Sequence, residues 1–508
     1  MTLVSETRSI RNGERLALAK VPQLPLGELQ SWLDERIAAG GQLSALFGVP
    51  LDSTALALYA VTTAATSGTI AVAETVVKGR YPALTPRVPQ AHWFEREIAE
   101  QWGVVPEGHP WLKPIRFHAS YASGRDAWNR AAGEAILPGV TDYFRVEGEE
   151  IHEVAVGPVH AGVIEPGHFR FQCHGEHVFT LEIELGYQHR GIERQLVGGP
   201  TKRTLHYMET LAGDTTIGHA AAYSQAVEGL SGSAPPLRAQ AIRVIALELE
   251  RLANHVGDLG ALAQDVGYLP TASYCGRLRG DFLNATAMIC GNRFGRGTVR
   301  PGGVGFDIDE SLAKALCEKV EAALRDVEGA TRLLWTTSSV MARFEETGRV
   351  SRATASELGL VGPAARACGI DRDIRRDFPS GYYRFAQLPV STWHSGDAFA
   401  RAYLRWLEVN RSARFIIEQL RALPHTTLRA EVGPLEPNSL VVALVEGWRG
   451  EICHVALTDD DGRFAHYKVV DPSFHNWIGL AMSLRDQQIS DFPLCNKSFN
   501  LSYCGHDL

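Results

Sequence analysis

The chain of 508 residues contains no Cys-x-x-Cys. Its eight cysteines, Cys173, Cys275, Cys290, Cys317, Cys368, Cys453, Cys495 and Cys504, are scattered. That spacing supports neither an iron–sulfur cluster nor a structural zinc site within the chain, and it reads as reduced thiols, most of them packing residues. Long apolar runs are missing too. The least polar stretch, Ala55 to Val77, is rich in Thr, Ala and Ser. It is too polar to span a bilayer and is expected as buried strand and helix. The N-terminus has charges where a signal peptide needs an apolar core, so neither a leader nor a transmembrane segment is expected. No basic run stands out, and a net charge of −8 argues against a nucleic-acid partner. No Gly-x-Gly-x-x-Gly follows a strand, so any NADH is expected to be oxidised elsewhere.

What is present is an ordinary globular composition, 45% hydrophobic and 21% charged, long enough for two or more domains. Val146 to Glu184 alternates, as in Phe169-Arg-Phe-Gln-Cys, and predicts an antiparallel sheet turning at Gly175. Ile242, Ile245, Leu249, Leu252 and Val256 recur at helical spacing within 238–266; 308–340 and 398–423 are further long helix candidates. Gly and Pro mark loops at 300–303 and 359–369. Alternation returns at 440–444, 452–457 and 463–470, so strands close the chain. The fold class is α+β. The expected division is an N-terminal tail over 1–20, a small α/β domain over 21–117, a linker over 118–145, and a domain over 146–508. The last has a central helical bundle flanked by antiparallel sheets.

Six short blocks add specificity. They are Ala91-His-Trp-Phe-Glu-Arg-Glu-Ile with Glu107-Gly-His-Pro; Gly157-Pro-Val-His-Ala-Gly-Val-Ile-Glu-Pro-Gly-His; Gly186-Tyr-Gln-His-Arg-Gly-Ile-Glu; Glu248-Leu-Glu-Arg-Leu-Ala-Asn-His-Val-Gly-Asp; Arg300-Pro-Gly-Gly; and Glu446-Gly-Trp-Arg-Gly. Taken alone, the first is an amphipathic helix with alternating charges. In order, the first resembles the 30-kDa-type subunit of NADH:quinone oxidoreductase (complex I). The others resemble the 49-kDa-type subunit of complex I and the large subunit of energy-converting, hydrogenase-4/formate-hydrogenlyase-type nickel–iron hydrogenases.

The resemblance implies that the nickel–iron ligand positions are Ala212, Thr215, Ser473 and Asn476. Alanine has no donor, and hydroxyls and amides are poor ligands for a centre that wants thiolates. No metal is therefore expected. His160 and His168 are implied to face a quinone headgroup, or are turn histidines satisfied by backbone. The tyrosine that completes such a site should fall near Gly213, and Tyr223 reads as packing. Glu193 is either a proton relay with Asp214 and His219 in the emptied cavity, or an i,i+3 partner of Arg190. His189, Arg190, Arg449, Asp471 and His475 are further cavity candidates, and Arg449 is expected to pair with Asp214 or Asp471. Arg293 and Arg300 face a neighbouring subunit's iron–sulfur cluster or form an interface salt bridge.

The resemblance thus implies a subunit on the cytoplasmic side of the inner membrane, beside an iron–sulfur subunit and membrane-arm subunits. It would serve electron transfer coupled to proton or ion translocation, with quinone as a candidate ligand and no cofactor of its own. The alternative is a non-catalytic coupling or scaffold subunit whose emptied cavity transmits protonation or conformational change.

Overall fold

The computed structural model describes residues 9–131, 133–139, 141–160 and 165–508. Residues 161–164, inside the second block, lie outside them.

In the N-terminal domain the strands Gln42–Pro50, Ala55–Ala64 and Thr69–Lys78 form an antiparallel sheet. The stretch 55–77 is thus two strands and a tight turn, with no helix. Its β-branched residues suit a pleated, buried surface better than a helical one. Helix Leu26–Ala38 packs Leu29, Trp32 and Leu33 on this sheet.

Helix His92–Trp102 is not the solvated amphipathic helix that its charges suggest: residues 92–101 are all buried. The charges are used internally. Glu95 accepts from the amides of Leu84 and Thr85, and Arg96 donates to the carbonyls of Lys113 and Pro114. Glu100 accepts from the amides of Ile115, Arg116 and Phe117. The helix therefore clamps the segment leading out of the domain. It stops at Gly103, whose φ of 64° is left-handed and where a Cβ would strike Arg125.

The larger domain opens with the sheet Ile151–Val156, His168–His174 and His177–Glu184. Its bundle comprises Leu237–Asp265, Leu269–Cys290, Glu310–Thr336 and Ala398–Arg421. The expected helix over 308–340 breaks at Thr337 and resumes as Ser338–Phe344. The expected loop over 359–369 contains helix Gly362–Ala367, because a proline in the first turn starts a helix rather than breaking one. Strands Ser439–Gly447, Gly450–Thr458 and Phe464–Val470 form the closing sheet.

The expected tail over 1–20 is not a tail in its described part. Ser9–Ile10 pairs with the N-terminal domain's sheet, and Arg15–Ala17 pairs with Ser439–Val441 of the closing sheet. After that sheet, helices Pro472–Ser483, Phe492–Phe499 and Tyr503–Asp507 follow, and residues 501–508 are buried.

Candidate functional site

Two tight chain reversals build the site. Gly213-Asp214-Thr215 precedes helix Thr216–Ser231, and Trp448-Arg449 occupies the hairpin between Gly447 and Gly450. Across the gap the Arg449 guanidinium meets the Asp214 carboxylate in two parallel hydrogen bonds of 2.6 and 2.8 Å. Arg449 also donates to the Asn500 carbonyl and lies 3.8 Å over the Trp448 ring. Trp448 Nε1 donates to the Asp214 carbonyl and to Thr215 Oγ1. Burial works to lower the Arg449 pKa, but Asp214, with Asp471 behind it, more than offsets this and raises it.

Asp471 begins a second, wholly buried chain. His219 Nε2 is 3.0 Å from Asp471, His219 Nδ1 is 3.1 Å from His454 Nε2, and His454 Nδ1 is 2.9 Å from the Tyr467 hydroxyl. With neutral rings one assignment serves every donor. Tyr467 donates to His454, His454 to His219, and His219 to Asp471. Burial raises the Asp471 pKa, but His219 and Arg449 outweigh it and hold the group below the usual carboxylate range. Burial and His219 hold His454 well below its ordinary value.

Beside Asp214 lies a niche of about 10 Å³, lined by Glu250, Asn254, Arg293 and Phe294 among others. It has room for about one water. The Glu250 carboxylate accepts from the amides of Ile217 and Gly218 at a helix N-terminus. Burial, joined by the Asp214 charge, still pushes its pKa up to about 8. Asn254 donates to the Asp214 carbonyl.

Of the four positions that the resemblance gives to metal ligands, three already serve as protein hydrogen-bond partners. Thr215 Oγ1 bonds Asp214 and Trp448; Ser473 Oγ accepts from the Ser502 amide; Asn476 clasps both backbone groups of Val361. Ala212 is fully buried. This donor set does not fit a thiolate-bound nickel–iron centre. No group of three or more His, Cys, Asp or Glu side chains suited to a metal ion occurs among the described residues.

Other expected members lie elsewhere. Glu193 does not join Asp214 or His219, and it does not pair with Arg190. It bonds Lys468 at 2.9 Å and the Val469 amide, because strand alternation turns Lys468 away from Tyr467 and towards the N-terminal domain. Lys468 also bonds Glu97, which pairs with Arg116, so this cluster joins the two domains. Arg190 donates to the carbonyls of Thr210, Leu211 and Cys504. His189 stacks on His118 at 4.5 Å, and burial pushes its pKa down to about 4. His475 faces Phe94, Glu451 and Arg372 rather than Asp214, since its helix turns it towards the N-terminal domain.

His160 bonds within its own loop, with Nε2 3.0 Å from the Gly167 carbonyl oxygen; as only an N–H can bond a carbonyl, Nε2 carries the proton. His168 Nε2 is buried without a hydrogen-bond partner. Neither histidine bonds Asp214 or His219. Arg293 and Arg300 are exposed, Arg293 at the niche. Tyr223 is buried packing.

Sequence reasoning missed Glu250, His454 and Tyr467. Glu250 sits in the quoted helical block and was available there. His454 and Tyr467 look like ordinary strand residues, and nothing local marks them.

Residues 265–434 match the family described as respiratory-chain NADH dehydrogenase, 49 Kd subunit, and residues 30–125 match its 30 Kd subunit family. Carbon monoxide-induced hydrogenase of Rhodospirillum rubrum is 30% identical over 69% of this chain and 97% of its own length. Formate hydrogenlyase subunit 5 of Escherichia coli K12 is 28% identical over 84% of this chain and 76% of its own. An NADH-quinone oxidoreductase subunit of Clostridium beijerinckii is 30% identical over 66% of this chain and 91% of its own. The chain belongs to the family of complex I 49-kDa-type subunits and energy-converting hydrogenase large subunits, with a 30-kDa-type domain in the same chain.

Proposed function

We propose that this protein is a subunit of a membrane-associated respiratory oxidoreductase complex, serving electron transfer coupled to proton or ion translocation without a nickel–iron centre. The bidentate Asp214–Arg449 pair carries the reading: charge stands where the family resemblance puts metal. A buried ion pair of this kind needs both members, and each makes further bonds that fix it.

The chemistry left to the site is proton handling. The Tyr467–His454–His219–Asp471 chain is hydrogen-bonded throughout, so a proton can pass by successive transfers. Glu250 can hold a proton beside Asp214. Within this chain the niche takes a water and has no room for a quinone ring, which favours proton transmission over quinone reduction here. Exposed Arg293 and Arg300 would meet the iron–sulfur subunit, where cationic charge raises a cluster's potential. Membrane-arm subunits would anchor the assembly on the cytoplasmic side.

The test uses the complex purified with its partner subunits, with reduced viologen as electron donor and a quinone analogue as acceptor. Proton uptake should fall in Asp471→Asn and survive His168→Ala. Loss in His168→Ala alone would move the chemistry to His168.

A further inference from the structure

A cavity of about 480 Å³ lies between the N-terminal segment 12–15, helices Thr216–Ser231 and Leu237–Asp265, and residues 374–384. Its rim carries the exposed residues Glu14, Arg15, Gly232 and Arg384. Its floor is of a different kind: Glu446, Arg375 and Tyr383, all buried, belong to an ionic cluster extending into the protein.

The cluster can be counted. Arg366 bonds Glu446 at 2.7 Å and Glu408 at 2.8 Å. Arg375 bonds Asp373 at 2.6 Å and Glu248 at 3.1 Å. Arg251 bonds Glu248 at 3.1 Å and lies 3.5 Å from Glu408. Glu446 is opposite Glu451 on the neighbouring strand, so both carboxylates share one face of the sheet, and Glu451 pairs with Arg372. Across the cavity Glu228 and Arg243 pair with each other. The two outer pairs cancel. The buried centre has four carboxylates, Glu248, Asp373, Glu408 and Glu446, and three guanidiniums, Arg251, Arg366 and Arg375; a fourth guanidinium, the half-buried Arg411, acts on Glu408 from the outer side.

Among the fully buried groups one negative charge is therefore in excess, and Arg411 compensates at Glu408 rather than at the cavity side, where an uncompensated buried charge is costly and a proton is taken up instead. His255 is the other candidate holder. Its Nε2 already serves Glu408 at 2.8 Å, and its buried Nδ1 has no partner, so charging the ring would strand an N–H. Glu446 is the cluster's carboxylate at the cavity.

We propose that this cluster is a proton-exchange site, with Glu446 holding the proton and the cavity serving as the water-filled route by which it enters and leaves. Burial, and then the nearby Asp373 charge, push the Glu446 pKa up to about 6, against Arg366, Arg375 and Arg251. A single turn of chain, Glu446-Gly-Trp-Arg449, separates Glu446 from the Asp214–Arg449 pair. The cluster contains none of the positions Ala212, Thr215, Ser473 and Asn476, and a nickel-bearing protein would keep it.

Infrared spectroscopy of the purified complex in D2O tests it. Other buried carboxyls with raised pKa values, such as Glu250, appear in both proteins and cancel in the wild-type minus Glu446→Gln difference spectrum. In that difference a protonated carboxylic C=O band should titrate away between about pH 5 and pH 8, and it should show deuterium exchange at once, because the cavity admits solvent. Asp373→Asn keeps an N-cap while removing the excess charge, so the titration should move to lower pH. No band in that difference would overturn the proposal, and so would a difference band that resists exchange or one that Asp373→Asn leaves in place. If Glu446→Gln does not assemble, the wild-type minus Asp373→Asn difference spectrum and its exchange decide alone.

Discussion

Asp214 and Arg449 are 235 residues apart in sequence and are joined by two short charge-assisted bonds. The Arg449 side chain is 5% exposed and that of Asp214 31%, so the two are not equally dependent. Asp214→Ala strands a guanidinium in the interior, whereas Arg449→Ala leaves a carboxylate that water can partly reach. Asp214→Ala should therefore cost about 2–4 kcal/mol of stability, with the double variant recovering a coupling of about 1–3 kcal/mol. Thermal unfolding of the assembled complex measures both quantities. Strictly additive losses would mean that the pair does not act as a unit.

At the level of elements, helix His92–Trp102 shows what buried charge does when it is fully paired. Glu97 meets Arg116 on one side and Lys468 of the closing sheet on the other. Burial alone would raise its pKa; the two cations outweigh burial and lower it below its ordinary value of 4.5. A carboxylate with a lowered folded-state pKa contributes stability that is present above 4.5 and is lost as pH falls below it. Acid should thus loosen the junction between the domains, and Glu97→Gln should be less stable at neutral pH but lose little more in acid. Unfolding midpoints measured across that range check the sign; an unchanged acid slope in Glu97→Gln would contradict it. The C-terminal segment is a second junction. The Asp507 carboxylate accepts from the amides of Gly186 and Gln188. Asp507→Ala should increase hydrogen exchange at 186–191 and 500–508, and leave the bundle protected. These junctions were not legible in the sequence, because Glu97 and Lys468 lie 371 residues apart and local pattern carries no such pairing. Helix Leu237–Asp265 was legible from the three-and-four spacing of Ile242, Ile245, Leu249 and Leu252. Helix Leu269–Cys290 was not, since only seven of its 22 residues are buried and Gly276 and Gly280 weaken its propensity. The Asp214–Arg449 pairing was readable only through the Gly-Trp-Arg-Gly turn and its likeness to a family motif.

Over the whole molecule, the N-terminal strands tie the two domains' sheets together, so the 30-kDa-type and 49-kDa-type parts share one core. No helix among the described residues is long and apolar enough to cross a membrane. On the proposed function, recovery of the protein with membranes depends on partner subunits, and protein made without them should be released by carbonate; retention would contradict an anchorage through partners. The central claim is that paired charge occupies the place of a metal centre. Elemental analysis of the purified complex, combined with a hydrogen-uptake assay, tests it most directly. The account predicts no stoichiometric nickel and no hydrogen uptake, because Ala212, Thr215, Ser473 and Asn476 supply no thiolate. Stoichiometric nickel with hydrogen uptake would contradict it.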